Sequence, residues 1–273
     1  MKAWICTDGR LVPADIPEPQ AGPGQALLRV RYAGICRSDR QVMAGLYGPR
    51  EGWVLGHECS AEVLSSEHWP RGTPVAVNPL LPDGSFLGID RPGCFAEIIA
   101  LPEACVFPLP PGLDLLKAAA AEPVAACGAI LLSPLSGRIA VAGSGRIRTV
   151  CELLLSQRGF APLAKPEPAS CDWVIETDPR PAALQSALEL LRPGGTLILK
   201  SRHPGKIELP LNLLIERELK LEARRYLPFP QALELLAEID LASLLAPPRP
   251  AAELPELISR DSESHKIIVE IQG

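Results

Sequence analysis

Arg138-Ile139-Ala140-Val141-Ala142-Gly143-Ser144-Gly145 is an apolar run that ends in a glycine turn. Consecutive apolar residues without alternation suit a short strand buried on both faces. The pattern then predicts a helix over 147–156, a strand over 171–177 and a helix over 182–191. Arg192-Pro193-Gly194-Gly195 reads as a turn into a further strand at 196–200. Strand and helix in alternation imply a parallel sheet with crossover helices. Upstream the texture differs. Short strand-like runs at 25–32, 59–64, 74–78 and 94–100 are cut by turn signals such as Gly22-Pro23-Gly24, which predicts a compact β-rich domain. An alanine- and leucine-rich helix over 118–132 joins the two textures. An amphipathic helix at 230–238, a proline-rich stretch and a strand at 265–271 close the chain. No internal repeat is evident.

The chain has 273 residues, 47% of them apolar, enough for one large or two modest domains. Its net charge is -5 with no basic block, which argues against nucleic acid or an anionic membrane as partner. The opening Met1-Lys2-Ala3-Trp4-Ile5-Cys6 meets Asp8-Gly9-Arg10 at once, so no secretory signal is expected. No apolar run approaches the roughly 18 residues of a membrane span. Eight cysteines stand singly, never as Cys-x-x-Cys, which predicts neither a disulfide framework nor a zinc ribbon and points to the reducing cytoplasm.

Three short motifs carry the chemistry. They are Gly34-Ile35-Cys36-Arg37-Ser38-Asp39, Leu55-Gly56-His57-Glu58 and Glu122-Pro123-Val124-Ala125. A thiolate, an imidazole and one or two carboxylates suit zinc, which takes S, N and O donors and keeps a position open when catalytic. Cys36, His57, Glu58 and Glu122 are therefore the candidate ligands of one metal site. Glu122 has a second reading, as an acid favoured at a helix N-terminus. Cys59 and Cys127 lie near the motifs and read as packed thiols. His203 and His265 have no motif behind them and read as surface residues.

Together with Phe86-Leu87-Gly88-Ile89-Asp90, Gly93-Cys94-Phe95-Ala96-Glu97 and Leu191-Arg192-Pro193-Gly194-Gly195-Thr196, these motifs make nearly the whole chain resemble a zinc-dependent medium-chain dehydrogenase/reductase of alcohol dehydrogenase type. The resemblance implies an α/β architecture: a GroES-like β-rich catalytic domain over 1–134 and 226–273, interrupted by a truncated Rossmann-type parallel-sheet domain over 135–225. It implies zinc on Cys36, His57 and either Glu58 or Glu122. Ser38 would pass the alcohol proton toward solvent, and Asp39 would orient the histidine ligand. Lys266 would counterbalance the carboxylates. Gly143, Gly145 and Arg146 would meet the cofactor phosphates. The implied partner is a small alcohol or carbonyl substrate, and the implied assembly is a homodimer. The loop over 43–53, with Tyr47 and Trp53, would help line its pocket.

The chain departs from the family pattern in three places. Residues 78–86 form a short link without cysteine, so no structural zinc is expected. The dinucleotide fingerprint wants a third glycine, and Arg148 stands there. The stretch Phe160-Ala161-Pro162-Leu163-Ala164-Lys165-Pro166-Glu167-Pro168 is too proline-broken for the strand whose final acid would hold the adenosine ribose. Ordinary NAD(P) affinity is thus expected to be weakened. Three functions stand open on these residues: a zinc- and NAD(P)-dependent oxidoreductase, a redox-neutral zinc enzyme of lyase or hydrolase type, and a non-catalytic partner subunit.

Overall fold

In the computed structural model, which describes residues 1–48, 50–202, 206–260 and 265–271, the chain opens with an antiparallel pair. The pair is β1 (Lys2–Thr7) and β2 (Arg10–Asp15). Next come β3 (Gln25–Gly34), the short helix α1 (Arg37–Met43), β4 (Glu58–Ser65), β5 (Pro74–Val77), β6 (Ile98–Pro102) and β7 (Val106–Pro108). His203 lies outside the described residues, as does Pro49 in the 43–53 loop. The chain divides into two compact units, one of Met1–Pro123 with Ala232–Gly273 and one of Val124–Gln231.

β3 is the spine of the first unit. Its alternation sends Ala26, Leu28 and Val30 into the core, all fully buried, as a strand with one packed face requires. It pairs antiparallel with β4 along most of its length and with β6 over its first half. Near its end it pairs with β13 (Ile268–Glu270), which follows α7 (Phe229–Glu238), β12 (Arg249–Pro250) and α8 (Leu254–Leu257) late in the chain. The result is a seven-stranded sheet ordered β12-β13-β3-β4-β5-β7, with β6 also on β3. Register brings Gly34 opposite both Glu58 and Ile268. The ends of three strands distant in sequence therefore meet at one place.

Two short helices, α2 (Leu115–Ala118) and α3 (Ala121–Gly128), precede the second unit's sheet. The single helix expected over 118–132 is thus divided. Pro123 has no N–H to donate and is tolerated only in a first turn, so a helix restarts just before it. The parallel sheet consists of β8 (Ile139–Ala142), β9 (Cys171–Glu176), β10 (Leu191–Leu199) and β11 (Lys220–Ala223), joined by α4 (Gly145–Gln157), α5 (Pro181–Glu189) and α6 (Leu211–Glu216). Ala140, Val174 and Leu197 align across it and pack on Leu184, Ala187 and Leu188 of α5. The expected turn at 192–195 lies inside β10, where pairing jumps from Leu191 to Thr196. Pro193 cannot donate to a ladder, and those four residues bulge out.

Two further expectations shift at their edges. The strand expected over 94–100 begins at Ile98, while Phe95 and Ala96 contact β1 singly through Trp4 N donating to Phe95 O and the Ala3–Ala96 bridge. The closing strand narrows to β13, because Lys266 pairs with Leu245 instead.

Candidate metal centre and nucleotide crevice

Cys36 follows β3 directly and caps α1, His57 precedes β4, and Glu58 begins it. The Cys36 thiol, a His57 ring nitrogen and a Glu58 carboxylate oxygen all lie within 4.8 Å of one another. Among the described residues this is the one group of three or more metal-ligating side chains so close together. His57 is 2% exposed and Glu58 1%. One soft sulfur on a half-buried cysteine, one buried imidazole nitrogen and one buried carboxylate oxygen fit zinc in chemistry and spacing.

Asp39 ties the group together. Its Oδ2 accepts from Cys36 N at 2.8 Å, and its Oδ1 stands 3.2 Å from His57 Nδ1. That leaves His57 Nε2 facing the thiol side, 3.3 Å from Ser38 Oγ and 4.0 Å from Glu58 Oε1. Burial opposes a charged imidazole here, yet the Asp39 carboxylate and the Cys36 sulfur outweigh it and hold the His57 pKa well above 6.5. Phe86 tilts against the imidazole at 5.5 Å between ring centres. Lys266, just before β13, reaches in to pair with Glu58 Oε2 and donates to Ile35 O at 2.9 Å. Gly34 makes room: a Cβ there would lie 2.7 Å from Lys266 Cε and overlap the Glu58 carboxylate.

Glu122 sits buried in the first turn of α3 and is not a member of this close group. Cys59 and Cys127 are buried thiols, and all eight cysteines are free. Phe86 and Gly34 open two of the quoted stretches, but their places beside the imidazole and the Glu58 carboxylate follow from long-range pairing, which residue types alone do not announce.

In the second unit, Gly143 (φ 120°) ends β8, and α4 starts at Gly145 (φ 74°), with Arg146 in its first turn. A Cβ on Gly143 would meet Asp178 Cβ at 3.2 Å, so the turn passes tightly over the end of β9. A glycine turn leading into a 13-residue helix fits a phosphate, since free N–H groups and the helix dipole both favour an anion there. Arg148 is held within α4 and its entry turn: its Nε donates to Glu152 Oε1 at 2.8 Å and its Nη1 to Gly143 O at 3.2 Å. The carboxyl end of β9 carries Glu176, 3% exposed, which the motif reading overlooked. Its Oε2 accepts from Ser201 N at 3.1 Å, and its Oε1 has no hydrogen-bond partner among the described residues.

Residues 22–111 match the family described as the alcohol dehydrogenase GroES-like domain. The sorbitol dehydrogenase of Bacillus subtilis (strain 168) is 27% identical over 305 aligned positions, covering 87% of this chain and 86% of that protein. An alignment longer than the 273-residue chain carries gaps on this chain's side. The L-threonine 3-dehydrogenase of Pyrococcus abyssi (strain GE5 / Orsay) is 24% identical, covering 79% of this chain and 78% of that protein. Among solved structures, 2R,3R-butanediol dehydrogenase from Bacillus subtilis superposes with a TM-score of 0.84 at 22% identity, over 98% and 99% of the two chains. Acetophenone reductase from Geotrichum candidum NBRC 4597, solved in complex with NAD, gives 0.83 at 18% identity, over 98% and 96%. These likenesses establish the fold as a GroES-like unit with a Rossmann-type unit.

Proposed function

Because the chain belongs to the medium-chain dehydrogenase/reductase family of alcohol dehydrogenase type, as a shortened member, we propose that it is an oxidoreductase exchanging hydride between a small alcohol or carbonyl compound and NAD(P). The observation that carries this reading is the Cys36, His57 and Glu58 donor set with Ser38 Oγ 3.3 Å from His57 Nε2. The relatives are themselves dehydrogenases, which supports hydride transfer over a redox-neutral zinc reaction or a partner subunit.

Cys36, His57 and Glu58 hold zinc in this reading, with Glu122 as the carboxylate that exchanges with Glu58. Bound there, zinc would supply a Lewis acid for a substrate oxygen, and a nicotinamide would supply or accept the hydride. Ser38 Oγ receives the substrate hydroxyl proton and passes it toward solvent. Asp39 holds the imidazole in the tautomer with Nδ1 protonated, so that Nε2 is free to ligate. Lys266 balances the carboxylate charge. The unit built on β3 is the catalytic domain, and the one built on β8 to β11 receives the cofactor at Gly143, Gly145 and Arg146. Cytoplasmic residence and a homodimer belong to the same proposal.

The test is a titration of zinc-loaded protein with NADH and NADPH, followed by a screen of alcohols and aldehydes for nicotinamide absorbance changes. Binding with turnover of at least one substrate is expected. Retained zinc without nucleotide binding or turnover would return the redox-neutral reading to the front.

A further inference from the structure

A dinucleotide site of the Rossmann type is two mononucleotide halves meeting where the strand order reverses. Here there is no reversal. The sheet runs β8-β9-β10-β11 in the same sequence as the chain, so β8 is an edge and every later strand lies on one side of it. On the free side of β8, where the adenosine half belongs, runs the 158–170 connection. Leu163 N donates to Ile139 O at 2.8 Å, and the Leu163 side chain packs into the core shared by Ala140 and Val174. Ile139, Ala140 and Val141 are at most 4% exposed, so the edge is already covered. The covering segment carries Pro162, Pro166 and Pro168 and forms no strand, and its acid, Glu167, is exposed and stands at no strand end.

The other half is complete. The Gly143 turn, the N-terminus of α4 and the carboxyl ends of β9 and β10 are all present. Glu176 pairs in register with Ala142 and Leu199 there, and its buried Oε1 has no hydrogen-bond partner among the described residues. The acid that grips the adenosine ribose in such a site does so through charge-assisted hydrogen bonds. Among the described residues no acid stands at a strand end on the free side of β8.

We propose that the chain grips a nicotinamide cofactor through the nicotinamide, its ribose and the adjoining phosphate alone, leaving the adenosine half unheld. The proposal rests on the dehydrogenase reading above and narrows it. Reduced nicotinamide mononucleotide is then a sufficient cofactor, and NAD and NADP are not told apart, because the 2′-phosphate sits on the half that nothing holds.

The experiment titrates the full, zinc-loaded chain with NADH, NADPH and reduced nicotinamide mononucleotide, read by nicotinamide fluorescence, and with adenosine 5′-monophosphate, the other half of the dinucleotide, as competitor. The expected result is three dissociation constants within about tenfold of one another, a spread of about 1.4 kcal/mol. Adenosine 5′-monophosphate is expected not to compete at millimolar concentration. A dinucleotide preference of about 100-fold or more over the mononucleotide, or displacement by adenosine 5′-monophosphate, overturns the proposal and leaves the dehydrogenase reading intact. Binding of none of the three reduced cofactors overturns both.

Discussion

Lys266 and Glu58 form an ion pair at the candidate metal centre with both side chains almost wholly removed from water. The lysine arrives from the residues just before β13, and the glutamate opens β4. Gly34 lies opposite Glu58 in the β3–β4 register and leaves the space the pair occupies. The two Glu58 oxygens are therefore divided: Oε2 faces Lys266, and Oε1 stands 4.0 Å from His57 Nε2.

Removing one partner of a buried pair strands the other charge. Lys266→Met is expected to cost about 3–5 kcal/mol of stability in urea unfolding. The double variant Lys266→Met with Glu58→Gln should recover most of it, because neither charge then remains. A single variant as stable as the parent would mean that the pair is solvated in solution.

Asp39→Asn keeps the size of a side chain that braces both Cys36 and His57 but removes its charge. Zinc affinity, read by competition with a chromogenic chelator, should fall about 10–100-fold. Cys36→Ser and His57→Ala should abolish stoichiometric zinc, and Glu122→Gln should weaken it less than either. Full zinc occupancy in both ligand variants would sink the assignment.

Burial raises the Glu176 pKa above 4.5, with the hydrogen bonds from Ser201 pulling the other way. The folded chain therefore keeps this proton to higher pH than the unfolded chain does. The stability contributed by the neutral carboxyl is complete below about pH 4.5 and is lost as pH rises through the folded value. Glu176→Gln cannot ionise. Its stability relative to the parent should rise between about pH 4 and about pH 8 in thermal unfolding. A difference that stays flat across that range would show that Glu176 is solvated.

Arg148→Gly restores a glycine at the third fingerprint position. Arg148 already turns toward Glu152 and Gly143 O, so its bulk is not what narrows the crevice. The ratio of NADH to mononucleotide affinity should stay within about twofold of the parent, well under 1 kcal/mol. A tenfold gain selective for NADH would identify Arg148 as the obstruction.

The side chains that gather at the candidate metal centre, Cys36, His57 and Glu58, could be picked out in the sequence because each has a distinct chemistry and sits in a short motif. The second unit's strands were legible because its apolar runs, such as 139–142, are bracketed by glycine and proline. Other features were not, for reasons that can be named. Whether Glu58 or Glu122 joins Cys36 and His57 depends on where β4 and α3 carry them, and motif spacing does not encode that. The break at Ala119-Ala120 hid inside an alanine run whose propensity favours helix throughout. Glu176 belongs to no motif that the sequence offers. Its isolation comes from the packing around it, which only the fold supplies.

A parallel sheet that ends at β8 leaves one side of that strand without a partner strand. An unpaired edge is a template on which another chain can extend the ladder, and such edges seed aggregation. The segment that covers this one carries Pro162, Pro166 and Pro168, three residues unable to donate a ladder hydrogen bond. A cover so built shields the strand while offering little ladder of its own to a neighbour. The shortened sheet is thus closed off against self-association on that side by chain chemistry rather than by an added strand.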